Sequence, residues 1–89
     1  MPCQQVTIVN KLGLHARAAA KLVSLASSFS SDIEVEHAQR KVNGKSIMGV
    51  MMLAASQGKE IVIHTAGEDE ERALQQLCLL VADRFGESE

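Results

Sequence analysis

Aromatic side chains are almost missing from this chain: two Phe, no Trp and no Tyr in 89 residues. Proteins that read single-stranded nucleic acid stack bases on aromatic faces, so a nucleic-acid platform is a poor reading and no nucleic-acid partner is expected. Cysteine is equally sparse. Cys3 and Cys78 make neither a disulfide framework nor a Cys-rich zinc site, and they suit a reducing, cytoplasmic setting. No apolar run approaches the roughly 18 residues that cross a bilayer. The stretch from Met1 to Asn10 lacks the basic start and apolar block of a signal peptide, so no membrane partner is expected. There is no internal repeat and no low-complexity tract. His15, His37 and His64 show no metal-ligand spacing, and no Ser-His-Asp or paired-carboxylate arrangement is evident.

What is present reads as one globular domain spanning 1–89, with 46% apolar and 22% charged residues. A chain of this size buries somewhat over ~60% of its unfolded surface, enough to fold unaided. The net charge of −2 hides an asymmetry. Residues 1–31 carry Lys11, Arg17 and Lys21 with no acid, residues 32–67 balance, and residues 68–89 sum to −5. A basic first third and an acidic end are the first clue to function.

Hydrophobic periodicity orders the chain as β-α-β-β-α-β-α. Gln5–Asn10 alternates weakly and reads as a strand, and Gly13 punctuates the turn after it. Ala16–Ser27 reads as a helix, with Arg17, Lys21, Ser24 and Ser28 on one stripe and Ala19, Leu22, Val23 and Ala26 on the other. Asp32–His37 alternates with period two, Ala38-Gln39 is a tight link, and Arg40–Val42 returns as a short strand. Ser46 precedes a short apolar helix over 47–53 and is its expected N-cap. Glu60–Ala66 is a strand with Ile61, Ile63 and Thr65 on one face, which turns His64 outward. His37 shares a face with Ile33 and Val35 and reads as a core-edge histidine. The last helix opens after Gly67, has acids in its first turn, buries Ala73, Leu74, Leu77, Cys78 and Val81, and stops at Gly86. The pattern predicts an α+β fold, a largely antiparallel four-stranded sheet with helices on one face.

Two segments carry candidate chemistry. The first is Gly13-Leu14-His15-Ala16-Arg17. His15 falls where a turn meets a helix, so unpaired backbone N–H groups and the positive end of the helix dipole lie beside it. Helix N-termini bind anions, an imidazole nitrogen offers a lone pair, and the Arg17 guanidinium can fork onto phosphoryl oxygens. No nearby acid is expected to oppose such a charge. Local physics alone leaves two readings open, a phosphoryl-accepting histidine and a plain helix cap beside a solvated arginine. The second segment is Asn43-Gly44-Lys45-Ser46. It is no nucleotide-binding loop, because the first glycine of that pattern would fall at Gln39. Ser46 can be a cap, a modification site beside Lys45, or both. Behind it, Ile47, Met48, Val50, Met51, Met52 and Leu53 are apolar nearly all round the helix. Either a crowded core hides them or some face a partner.

These motifs resemble those of the HPr family, the histidine phosphocarriers of the phosphoenolpyruvate-dependent phosphotransferase system. The run from Asn10 to Arg17 is similar to the nitrogen-branch, NPr type, and the run from Val42 to Met51 to the family's regulatory serine segment. The likeness extends from about Val6 to Phe85. It implies an HPr-like open-faced β-sandwich, a four-stranded antiparallel sheet under three helices. It also implies a stoichiometric carrier with no bound cofactor, acting as a monomer. His15 would take a phosphoryl group on Nδ1 from Enzyme I and pass it to an EIIA-type domain, with Arg17 neutralising charge. Ser46 would be the target of HPr kinase/phosphorylase in lineages that have one. The partner-docking face would include Lys21, Ser24, Lys45, Ile47, Met48 and Met51. Many members carry proline after the arginine; Ala18 stands here and is expected to be tolerated. The alternative is a regulatory binding module that works through Ser46 and the Ile47–Met51 surface.

Overall fold

A computed structural model of the chain describes residues 2–89. Strand β1 spans Cys3–Thr7, helix α1 Ala16–Ser27, strands β2 and β3 Asp32–His37 and Arg40–Asn43, and helix α2 Ile47–Met52. Strand β4 spans Glu60–Ala66 and helix α3 Glu70–Ala82, followed by a short 3-10 turn over Arg84–Gly86. The sheet order is β1-β4-β2-β3 and every pairing is antiparallel.

The register explains the core. Ile63 lies opposite Val35, which lies opposite Val42, and Thr65 lies opposite Ile33. Because side chains alternate, these residues share one face, and Ile33, Val35, Ile61 and Ile63 are buried there. The three helices cover that face with Leu22, Ala26, Val50, Leu77 and Val81. The other face is polar, and on it His64 Nε2 meets Glu36 Oε1 at 2.9 Å. His37 sits half-buried at the sheet's end, its Nδ1 3.0 Å from the Glu60 carbonyl.

The α1, β2 and β4 bounds match the periodicity of the sequence. Three differences have physical reasons. Strand β1 starts at Cys3 and ends at Thr7, short of the expected Asn10. Its pairing with β4 sets those limits, and Ile8 then continues the pairing only through the Lys59 carbonyl and the Gly58 N–H. In α3, Leu74 and Cys78 are only partly buried, since the helix is seated on Ala73, Leu77 and Val81. The chain does not simply stop at Gly86. Arg84 and Phe85 adopt positive φ, which folds Phe85 fully into the core and turns Glu87–Glu89 back toward α1.

Candidate functional site

Gly13 delivers the first segment. Its φ is +67°, and a Cβ there would lie 2.6 Å from the Ala55 carbonyl oxygen. Only glycine accepts both conditions. The next residue, Leu14, donates its N–H to that same carbonyl at 2.9 Å, so the turn is pinned against the loop after α2. His15 follows as the N-cap of α1, with extended backbone (φ −76°, ψ 178°). Its carbonyl accepts the first helical bond, from Ala19 N at 2.8 Å, but its side chain makes no cap bond. No acid occupies the first turn. The leading N–H groups of α1 therefore keep their capacity for an anion.

The ring of His15 is held from elsewhere. Its Nε2 is in short contact with Glu87 Oε2, and the other carboxylate oxygen, Oε1, accepts from Asn10 Nδ2 at 3.0 Å. Asn10 is fully buried, and the same Nδ2 donates to the Gly13 carbonyl at 2.9 Å. A flipped amide would set oxygen against both acceptors, so the two bonds fix its orientation. The bond with His15, then that with Asn10, and the nearby Lys21 charge hold the Glu87 carboxyl below its usual range, against the opposing effect of burial. The expectation that no acid stands near His15 is thus corrected: the acid in contact with it, Glu87, lies 72 positions away in sequence.

His15, Arg17 and Lys21 line one open cleft together with Lys11, Leu12 and the 86–89 tail. Arg17 is exposed and, among the described residues, makes no ion pair. Lys21 differs, since its Nζ donates to the Phe85 carbonyl at 2.8 Å and so ties the tail turn to α1. The Lys11–Glu89 pair, at 3.4 Å, is exposed on both sides and contributes little. Ala18, directly after Arg17, is fully buried. Ser24 lies exposed further along the polar stripe.

The second segment lies apart, at the start of α2. Ser46 Oγ accepts from Gly49 N at 3.1 Å, which makes it a true N-cap. Lys45 is drawn toward the end of the α1 loop, its Nζ donating to the Phe29 carbonyl at 2.8 Å. Only Val50 of α2 is buried. Ile47, Met48, Met51 and Met52 are exposed, Met48 at 72%, so the apolar excess faces out rather than hiding in the core.

Sequence reasoning missed Glu87 and Asn10. Asn10 had a signal, a polar residue just before the glycine turn, whereas Glu87 looked like one more acid in a solvated tail.

A family model described as the PTS HPr component phosphorylation site matches residues 3–83. The phosphocarrier protein HPr of Cupriavidus necator is 52% identical over 86 residues, 97% of each chain. The phosphocarrier protein NPr of Shewanella violacea is 45% identical over 85 residues, 96% of this chain and 93% of its own. Among solved structures, HPr-C-His from Thermoanaerobacter tengcongensis covers 100% of both chains at 48% identity with a TM-score of 0.96. With its antiparallel four-stranded sheet under three helices, and these matches over nearly its whole length, the chain belongs to the HPr family, the phosphocarriers of the phosphotransferase system.

Proposed function

We propose that His15 is the phosphoryl acceptor, taking the group on Nδ1 from Enzyme I and passing it to an EIIA-type domain. The observation that carries this is the N-terminus of α1, where His15 is the N-cap yet its side chain makes no cap bond to the helix N–H groups. A phosphoryl group on the ring would meet the dipole and those donors, with the exposed Arg17 guanidinium in the same cleft. One accessible ring nitrogen per chain suffices for a relay, so a monomer working in the cytoplasm is enough. The protein is then a stoichiometric carrier rather than a catalyst with its own substrate pocket.

The test is incubation with Enzyme I and labelled phosphoenolpyruvate. Acid-labile label on His15 is expected, and it should be discharged by an EIIA domain. Label taken up by His15→Ala at the wild-type rate would refute the assignment. Supplying both the sugar-type and the nitrogen-type Enzyme I, and comparing rates, assigns the branch.

A second reading concerns regulation. Ser46 caps α2 and stands next to the exposed Ile47, Met48 and Met51. A phosphate there would place about −1.5 to −2 charges at the edge of an apolar docking face. HPr kinase/phosphorylase is the enzyme class to assay, with mass spectrometry of Ser46. A stable phosphoserine that leaves His15 labelling unaltered would argue against regulation of transfer. A phosphoserine protein with no His15 transfer at all would favour the binding-module alternative.

A further inference from the structure

The tail that returns to α1 does more than cover the site. We propose that Glu87 is a positioning residue for His15, fixing the ring tautomer so that Nδ1 carries the free lone pair. This deepens the phosphocarrier reading and rests on it.

The argument starts from the ring. A neutral imidazole holds one proton, on either nitrogen, and the partner of one nitrogen decides the role of the other. A carboxylate only accepts hydrogen bonds. Glu87 Oε2 in contact with Nε2 therefore requires the proton at Nε2 and leaves Nδ1 as the acceptor nitrogen. Among the described residues Nδ1 of His15 has no hydrogen-bond partner.

The carboxylate is itself held. Asn10 Nδ2 grips Oε1 from the buried side, and the Asn10 amide is locked by the Gly13 carbonyl. Lys21 anchors the turn that carries Glu87 through the Phe85 carbonyl, and Phe85 is sunk in the core. The Glu87 side chain is only 14% exposed. The contact is thus braced from two elements, which a dangling tail residue would lack.

The group transfer balances with this proton in place. The Nδ1 lone pair forms a bond to phosphorus, and the bond from phosphorus to the donor breaks with its electron pair leaving on the donor. The ring becomes a phosphorylated imidazolium that keeps its proton at Nε2. Its new positive charge lies against the Glu87 carboxylate. Onward transfer reverses the same steps, and no proton has to leave.

The experiment uses the full chain with Glu87→Ala and Glu87→Gln, plus Asn10→Ala. Nitrogen-resolved NMR of the unphosphorylated protein at about pH 9, above the ordinary imidazole range, reads the tautomer directly. Wild type should show the proton mainly on Nε2. Glu87→Ala should shift the ring toward a mixture and slow label uptake about 10- to 100-fold, the size expected when an oriented histidine loses its outer partner. That loss should appear in the maximal rate more than in the donor concentration for half-saturation. Glu87→Gln keeps one acceptor oxygen for two donors, the Nε2–H and Asn10 Nδ2, and carries no charge, so both tautomer and rate should fall between wild type and Glu87→Ala. Asn10→Ala should give a weaker version of Glu87→Ala if it folds; if it does not, the two Glu87 variants decide. Unchanged tautomer and rate in Glu87→Ala would overturn the proposal. Faster uptake in Glu87→Ala would overturn it too, showing a tail that blocks rather than positions. Wild-type protein that takes no label on His15 would sink the phosphocarrier reading, while the NMR result would still report on the contact.

Discussion

Helices α1 and α2 both begin on a residue able to carry a phosphoryl group, and they use it in opposite ways. Ser46 spends its side-chain oxygen on its own helix, accepting from Gly49 N. His15 spends its ring on a distant carboxylate and leaves the helix end uncapped. A capped end is stable and already satisfied; an uncapped one keeps donors in reserve for an anion. The third helix offers a further contrast. Asp69, at the start of α3, makes no cap bond, and its carboxylate accepts from Ser30 N and Ser31 N at 3.0 Å each, and from the Ser31 hydroxyl. It ties a loop down rather than serving a helix or a ligand.

The comparison breaks most readily at Gly13. Gly13→Ala adds a left-handed alanine and an overlap with backbone, and should cost about 1–3 kcal/mol or more in unfolding experiments. Because the overlap is with the loop after α2, His15 labelling should also slow, whereas the equivalent loss of stability from a remote core change should not slow it.

Arg17→Ala comes next. Arg17 is exposed and makes no ion pair among the described residues, so melting should move by no more than about 0.5 kcal/mol. A charge-assisted bond to the phosphoryl group is worth about 1.5–3 kcal/mol, so the transfer rate should drop by about 10- to 100-fold. Stopped-flow or quench labelling decides between this and a solvated arginine that changes nothing.

Ser46→Ala should lower stability by about 1 kcal/mol through the lost cap, and Ser46→Asp should recover much of it because aspartate caps well. Denaturant melts of the two variants sharpen the contrast between an end that is capped and one that is not. Equal losses in both would show that the cap bond is not what holds α2.

The smallest effect is the acid limb. Asp69 titrates at about 2 in the fold against 3.8 in its ordinary state, lowered first by the Ser31 hydroxyl bond. The unfolded chain therefore binds the extra proton between those values. The Asp69 contribution is fully present above about pH 4 and fades as pH falls toward 2. Asp69→Asn should flatten the melting temperature against pH in that window.

Much of this was legible in the chain. The 3.6-residue stripe of α1 and the period-two patterns of β2 and β4 gave their bounds, because each pattern repeats long enough to override end effects. Gly13, His15, Arg17 and Ser46 stood out because turn, cap and charge chemistry act within a few residues. Strand β1 was misplaced because an edge strand has a weak pattern, and its limits come from its neighbour β4. The outward face of α2 could not be read either, since an all-apolar helix looks the same buried or exposed.

The sequence by itself therefore determined the order of the elements, the family motifs and the candidate histidine, since these depend on local propensity and short spacing. Only the tertiary structure decided what surrounds that residue. Phe85 had to be buried for the chain to turn back, and only then could Glu87, held by Asn10, reach His15. A contact across 72 positions leaves no local pattern in the chain, because it depends on how the whole core closes.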